Sequence, residues 1–119
     1  MPRPPKYRVQ FRMRIHTGQG VAIGPGKIAL LEAIVQTGSI TGAARQMGMS
    51  YRRAWLLVDD LNRAMRSPAV RTATGGARGG GTSVTAAGHE LIRRYRSVEA
   101  TAERMTASDL DAIKRLLAL

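Results

Sequence analysis

"SITGAARQMGMSYRRAWLLVDDLN", residues Ser39 to Asn62, decides the fold. It starts with a serine, passes through a short apolar stripe (Ile40, Ala43, Ala44, Met47) and reaches Gly48. Ser50 then opens a longer segment in which Ala54, Leu57, Val58, Leu61 and, just beyond the quotation, Met65 share one side. Apolar residues three and four apart indicate helices, and a serine before such a run is a ready cap for the first free N–H groups. The pattern predicts a short helix to Met47 capped by Ser39 or Thr41, a turn at Gly48 and Met49, and a helix from Tyr51 to about Arg66 that Pro68 ends. Gly42 and Ala43 are small enough for close helix contact. Such a pair has the dimensions of a helix-turn-helix unit. The second helix of such a unit lays its N-terminal residues against base edges while the first crosses the phosphate backbone.

The flanks extend this unit. Upstream, Pro25 suits the first turn of a helix running to Thr37, with Ile28, Leu31, Ile34 and Val35 as its stripe and Gly38 as its left-handed stop. Before it, Tyr7, Val9, Phe11, Met13 and Ile15 alternate with Arg8, Gln10, Arg12 and Arg14. This is the period of a half-buried strand with a basic outer face over residues 7–15. The glycines at 18, 20, 24 and 26 read as a loop, and the proline-rich residues 1–6 as disordered. Downstream, Thr85 caps a helix from Ala86 to about Met105 carrying Leu91, Ile92, Tyr95, Val98 and Met105, and Ser108 caps a last helix with Leu110, Ile113, Leu116 and Leu117.

Between these parts lie two extended pieces, Ala69 to Thr72 and Thr82 to Val84, bracketing the glycine-rich "TGGARGGG" of Thr74 to Gly81. A nucleotide-binding P-loop would need a lysine after the glycines, and none follows. A dinucleotide fingerprint would need a surrounding βαβ unit, and a linker would leave too little chain for a second domain. A two-stranded ribbon after three helices is instead a wing, with Arg78 at its tip among glycines that let backbone N–H groups approach phosphates. The expected fold is mainly α with a small β component. It is a single winged helix-turn-helix domain over residues 1–119, with an N-terminal strand at 7–15, a three-helix core at 25–66, a wing hairpin at 69–84 and C-terminal dimerisation helices at 85–119.

Composition narrows the function. The chain has 119 residues, five of them aromatic, and no apolar run near the ~18 residues of a membrane span. Its basic N-terminus is followed by no apolar stretch of the kind a signal peptide has. Cysteine is absent, which excludes disulfides and thiolate chemistry and makes a reducing cytoplasm the expected location. Asp59 and Asp60 diverge on their helix, and His16 and His89 stand far apart, so neither an enzyme active site nor a metal or cofactor site is expected. The formal charge of +11 comes from sixteen arginines and three lysines against eight acids. Arginine offers a planar fork for phosphate and guanine edges, so double-stranded DNA is the expected partner. A basic protein-interaction or nucleoid-associated module without sequence specificity is the alternative. No helix shows the basic, amphipathic pattern of a membrane binder.

The candidate DNA-binding residues follow. Tyr51, Arg52 and Trp55 fall off the core stripe of their helix, and Arg52 and Arg53 suit guanine or phosphate. Trp55 either packs against the wing or core or contacts DNA. Ser39 and Thr41 open the first helix of the pair, Ser50 opens the second, and Arg78 stands on the wing.

"GKIALLEAIVQTGSITGAARQMGMSYRRAWLLVDDLN" followed by "TGGARGGGTSVTAAGHELIRRYRSVE" resembles the N-terminal DNA-binding domain of ModE-type molybdate-responsive transcription regulators. The telling pieces are "GSITGAA", "GMSYRRAW", the glycine wing and "VTAAG", and the likeness spans about Gly24 to Thr101. The resemblance implies a winged helix-turn-helix related to the LysR-type domain and a homodimer joined mainly through its long terminal helices. ModE-type regulators also carry a C-terminal molybdate-binding region, which has no counterpart in this sequence. Direct molybdate sensing is therefore not expected: the domain either acts constitutively or depends on a separate molybdate-binding protein.

Overall fold

A proline at the first helical position loses no hydrogen bond and already has a helical φ. It starts α1 (Pro25–Thr37) in the computed structural model, which describes residues 7–73 and 81–118. Helix α1 is the hub of the fold and packs against α2 (Ile40–Met47), α3 (Tyr51–Ala64), α4 (Ala86–Met105) and the strand β4 (Gly81–Val84). Being surrounded, it buries more than one stripe: Ile28, Leu30, Leu31, Ala33 and Ile34 are all inside, whereas Val35, expected on the stripe, is exposed. With Ile40, Ala43, Ala54, Val58, Leu61, Val70 and Tyr95 these residues form one core. Burying each large side chain contributes about 1.5–3 kcal/mol.

The turn between α2 and α3 depends on Gly48. Its φ of 68° lies in the left-handed region that side chains with a Cβ avoid, and its N–H reaches back to the Ala44 and Arg45 carbonyls. Ser39 and Ser50 cap the two helices, their hydroxyl oxygens accepting from Gly42 N at 2.8 Å and Arg53 N at 3.1 Å. After α3, β3 (Val70–Ala73) pairs antiparallel with β4, with Val70 opposite Val84 and Ala73 opposite Gly81. Three helices, a two-stranded ribbon and a further helix make a winged helix-turn-helix.

Helix α4 is fastened at the base of this ribbon. The Thr85 hydroxyl donates to the Pro68 carbonyl at 2.6 Å and accepts from Gly88 N at 3.1 Å, while Thr85 N donates to the Ala69 carbonyl at 2.9 Å. Gly88 is buried at the crossing. A Cβ there would lie 2.6 Å from Val84 Cγ1 and closer still to the Ala69 carbonyl oxygen. Further along α4, Arg96 donates to Glu32 of α1 and to Glu99, at 2.7 Å for the latter. These carboxylates, Glu32 first, hold its guanidinium even more firmly protonated than usual.

The alternating N-terminal segment departs from expectation. Tyr7, Val9, Phe11 and Met13 are half-buried and the arginines between them exposed, but residues 7–14 form no strand. Pairing begins at Ile15. Strand β1 (Ile15–Thr17) turns through Gly18 and Gln19 into β2 (Gly20–Ile23), so the expected glycine loop contains a hairpin. Period-two burial reports an extended chain lying on a surface, which needs no partner strand. Here the surface is helical, and the buried Tyr95 donates its hydroxyl to the Met13 carbonyl at 2.7 Å. Helix α3 ends at Ala64, two residues before Arg66. The last helix, α5 (Ala107–Leu116), follows α4 after Thr106 alone and has no side-chain cap, in place of the Ser108 cap expected. Thr106 instead donates its hydroxyl back to the Ala102 carbonyl at 2.6 Å. No described helix is long and apolar enough to cross a membrane.

Gly88→Ala is expected to destabilise the fold by about 1–3 kcal/mol through overpacking against backbone. Urea unfolding measures this as a lower midpoint. A gain in stability, as alanine gives on an open helix, would refute the close crossing.

Candidate nucleic-acid interface

The site is built on the side of α3 that the core does not use. Ala54, Val58 and Leu61 are buried, and helical spacing puts Arg52 and Leu56 on the opposite face. Tyr51 is 55% exposed, Trp55 46% and Leu56 45%, and Arg52 and Arg53 are exposed beside them. Among the described residues neither arginine is held in an ion pair, in contrast to Arg63, which meets Asp59 at 2.7 Å. Both stand in the first turn of α3, where the helix end carries partial positive charge.

Charge is segregated along the chain. No acid occurs from Ala33 to Val58 or from Leu61 to His89, stretches that contain Arg45, Arg52, Arg53, Arg63, Arg66, Arg71 and Arg78. These stretches supply α2, the turn, the first half of α3 and the strands of the wing. Most of the acids lie on α1, α4 and α5, and Asp59 and Asp60 begin the second half of α3. Apart from Arg63, which Asp59 pairs, the two stretches therefore carry positive charge with no acid among them.

The wing is held to α3 by Asn62. Its Oδ1 accepts from Ala69 N at 2.8 Å and Val70 N at 3.2 Å, and its Nδ2 donates to the Val70 carbonyl at 3.1 Å. One side chain thus satisfies three backbone groups where the chain leaves the helix and enters β3. In the cleft between wing and helix, Trp55 stands with Ile40, Val58, Asn62, Val70 and Thr72. Trp55 lines the cleft on one side and is open to solvent on the other.

The remaining candidates divide. Ser39 is half-buried with its oxygen engaged in capping, Thr41 is exposed on the first turn of α2, and Ser50 is exposed at the start of α3. Arg78 lies outside the described residues. Sequence reasoning missed three residues. Asn62 gave no signal because its partners are backbone groups seven and eight residues ahead. Leu56 could have been found from its position opposite the stripe. Arg71, exposed on β3 beside the inward Val70, could have been found from strand alternation.

A family described as bacterial regulatory helix-turn-helix protein, lysR family, matches residues 26–89. The chain is 43% identical over 89 residues to the molybdenum-pterin-binding protein MopB of Rhodobacter capsulatus, covering 75% of this chain and 33% of that protein. It is 36% identical over 121 residues to the molybdenum transport protein ModE of Azotobacter vinelandii, covering 92% and 45%. To the transcriptional regulator ModE of Yersinia pestis it is 44% identical over 88 residues, covering 74% and 34%. The chain thus spans between a third and a half of the length of these relatives, and the ModE-type resemblance of its sequence agrees with them.

Removing the Asn62 side chain tests the attachment of the wing. Asn62→Ala should cost about 2–3 kcal/mol, because it strands part-buried backbone groups. Amide exchange at Ala69 and Val70 should accelerate while that at Arg53, held by the Ser50 cap, does not. Unchanged exchange at all three would show that Asn62 does not hold the wing.

Proposed function

Because the chain belongs to the lysR family of bacterial regulatory helix-turn-helix proteins, we propose that it is a transcriptional regulator that reads a specific duplex DNA site, not an enzyme. The observation that carries this is the capped first turn of α3. There Arg52 stands exposed opposite the core stripe, flanked by the exposed Tyr51 and Arg53 and followed in the next turn by Trp55, in a stretch without acids and next to the wing. Arg52 supplies base readout, Ser50 and Tyr51 add nearby backbone or base contacts, and Ser39, Thr41 and Arg53 meet phosphates. Trp55 closes the gap between helix and wing, and Arg78 contacts the backbone from the wing. The protein works in the cytoplasm without a cofactor. Its control is linked to molybdenum, the theme of its relatives' names.

The regulator is a homodimer joined through α4 and α5. Val98, Met105, Ile113, Leu116 and Leu117 are exposed there, Leu116 at 84%, and no residue of α5 is buried. The radius of gyration of 17.6 Å exceeds the roughly 13.5 Å of a compact domain of this length, as expected of helices that await a second subunit. Two α3 helices then enter the major groove about 34 Å apart, one turn of duplex, or a multiple of it.

Arg52→Ala should weaken binding to the selected site by about 1–3 kcal/mol and change binding to random duplex little. An equal loss on both would reduce Arg52 to a phosphate contact, and no preference for any site would favour the unspecific basic module. Arg78→Ala should weaken binding to all sequences and lower the slope of log affinity against log salt by about one; an unchanged slope would remove it from the interface. Light scattering at micromolar concentration should give twice the chain mass, and a monomer mass would overturn the dimer.

A further inference from the structure

Leu56 is not a core residue. It belongs neither to the core nor to the apolar residues packed against it, and it does not line the cleft that shelters Trp55. It is 45% exposed on the outward face of α3, one turn beyond Arg52. A single exposed leucine is ordinary on a protein surface; what sets Leu56 apart is its place on the outward face of α3, between Arg52 one turn before it and Asp59 and Asp60 one turn after it.

The charges around it define the surface it can meet. One turn further along, Asp59 and Asp60 would repel a polyanion, and Asp59 is already engaged with Arg63. The part of α3 that can approach DNA is therefore its first two turns, and Leu56 is the last outward residue of that part. The floor of the major groove carries one apolar feature, the C5-methyl group of thymine. Residues four apart on a helix are about 6 Å apart along its axis, roughly one to two base steps.

We propose that Leu56 is a specificity-determining residue that packs on the methyl group of a thymine one or two base steps from the base pair met by Arg52. The inference rests on the DNA-reading function proposed above and adds the chemistry of one position in its site. Arg52 selects by hydrogen bonds and Leu56 by the burial of a methyl group.

The test removes that methyl and nothing else. A site is enriched from random duplexes with the wild-type chain, and each thymine is replaced in turn by deoxyuridine. At one position the replacement should weaken wild-type binding about three- to tenfold, the effect of losing one buried methyl contact. Leu56→Ala should bind the thymine site as weakly as wild type binds the deoxyuridine site, and should be indifferent to the replacement. Its affinity for random duplex and its salt slope should equal those of wild type, because no charge is lost. Identical deoxyuridine profiles for the two proteins, or an equal loss on random duplex, would overturn the role of Leu56 while leaving the regulator reading intact. Failure to enrich any site would overturn that reading and this inference together.

Discussion

The position of the wing beside α3 depends on the three hydrogen bonds made by Asn62. A two-stranded ribbon of four residues a side is marginal by itself, because its few ladder bonds do not offset the entropy of ordering it. The ribbon gains its position from its root, where one carboxamide serves the backbone of Ala69 and Val70. These bonds run from the last turn of the helix that carries Arg52 and Trp55. The root of the wing is thereby tied to α3, and Trp55 stands in the angle between them. The Thr85 hydroxyl repeats the device on the other strand, where it links the ribbon to α4.

The parts of the fold that were legible in the sequence are those ruled by local chemistry. Ser39, Ser50 and Thr85 cap the helices that their positions announce, because the group each one satisfies is three residues away. The stripe on α3 was legible because that helix buries one side only. Helix α1 was less so, since a helix enclosed by its neighbours has no dry stripe to mark. The segment from Tyr7 to Met13 alternates as a strand does, and its burial alternates too. What the pattern could not contain is the identity of the supporting surface, here stitched by Tyr95, eighty-two residues away. The partners of Asn62 and the crowding at Gly88 were hidden for the same reason, being contacts with backbone that another element places.

Charge and packing divide the labour along this chain. The acids are concentrated on the helices that scaffold the molecule, where Glu32 and Glu99 bind Arg96 and so draw α4 onto α1. The pairs there are partly exposed and individually weak. Arg52 and Arg53 remain unpaired among the described residues and pre-placed on the first turn of a capped helix. A face of this kind attracts any nucleic acid. In the function proposed above, discrimination between sequences comes from the few groups that stand out of it, and these are aromatic, forked or apolar, not simply charged.

The Thr85 hydroxyl touches two structures at once: the loop that roots the wing and the first turn of the helix that runs to the far end of the molecule. With Gly88 pressed against Ala69, α4 leaves the wing at a fixed angle, like a beam set into a wall. In a dimer joined through α4 and α5 that angle, together with the single-residue joint at Thr106, sets the distance between the two reading heads. The preferred gap between half-sites would then be written in residues that never approach a base, and could drift between related regulators while the half-site itself stays the same.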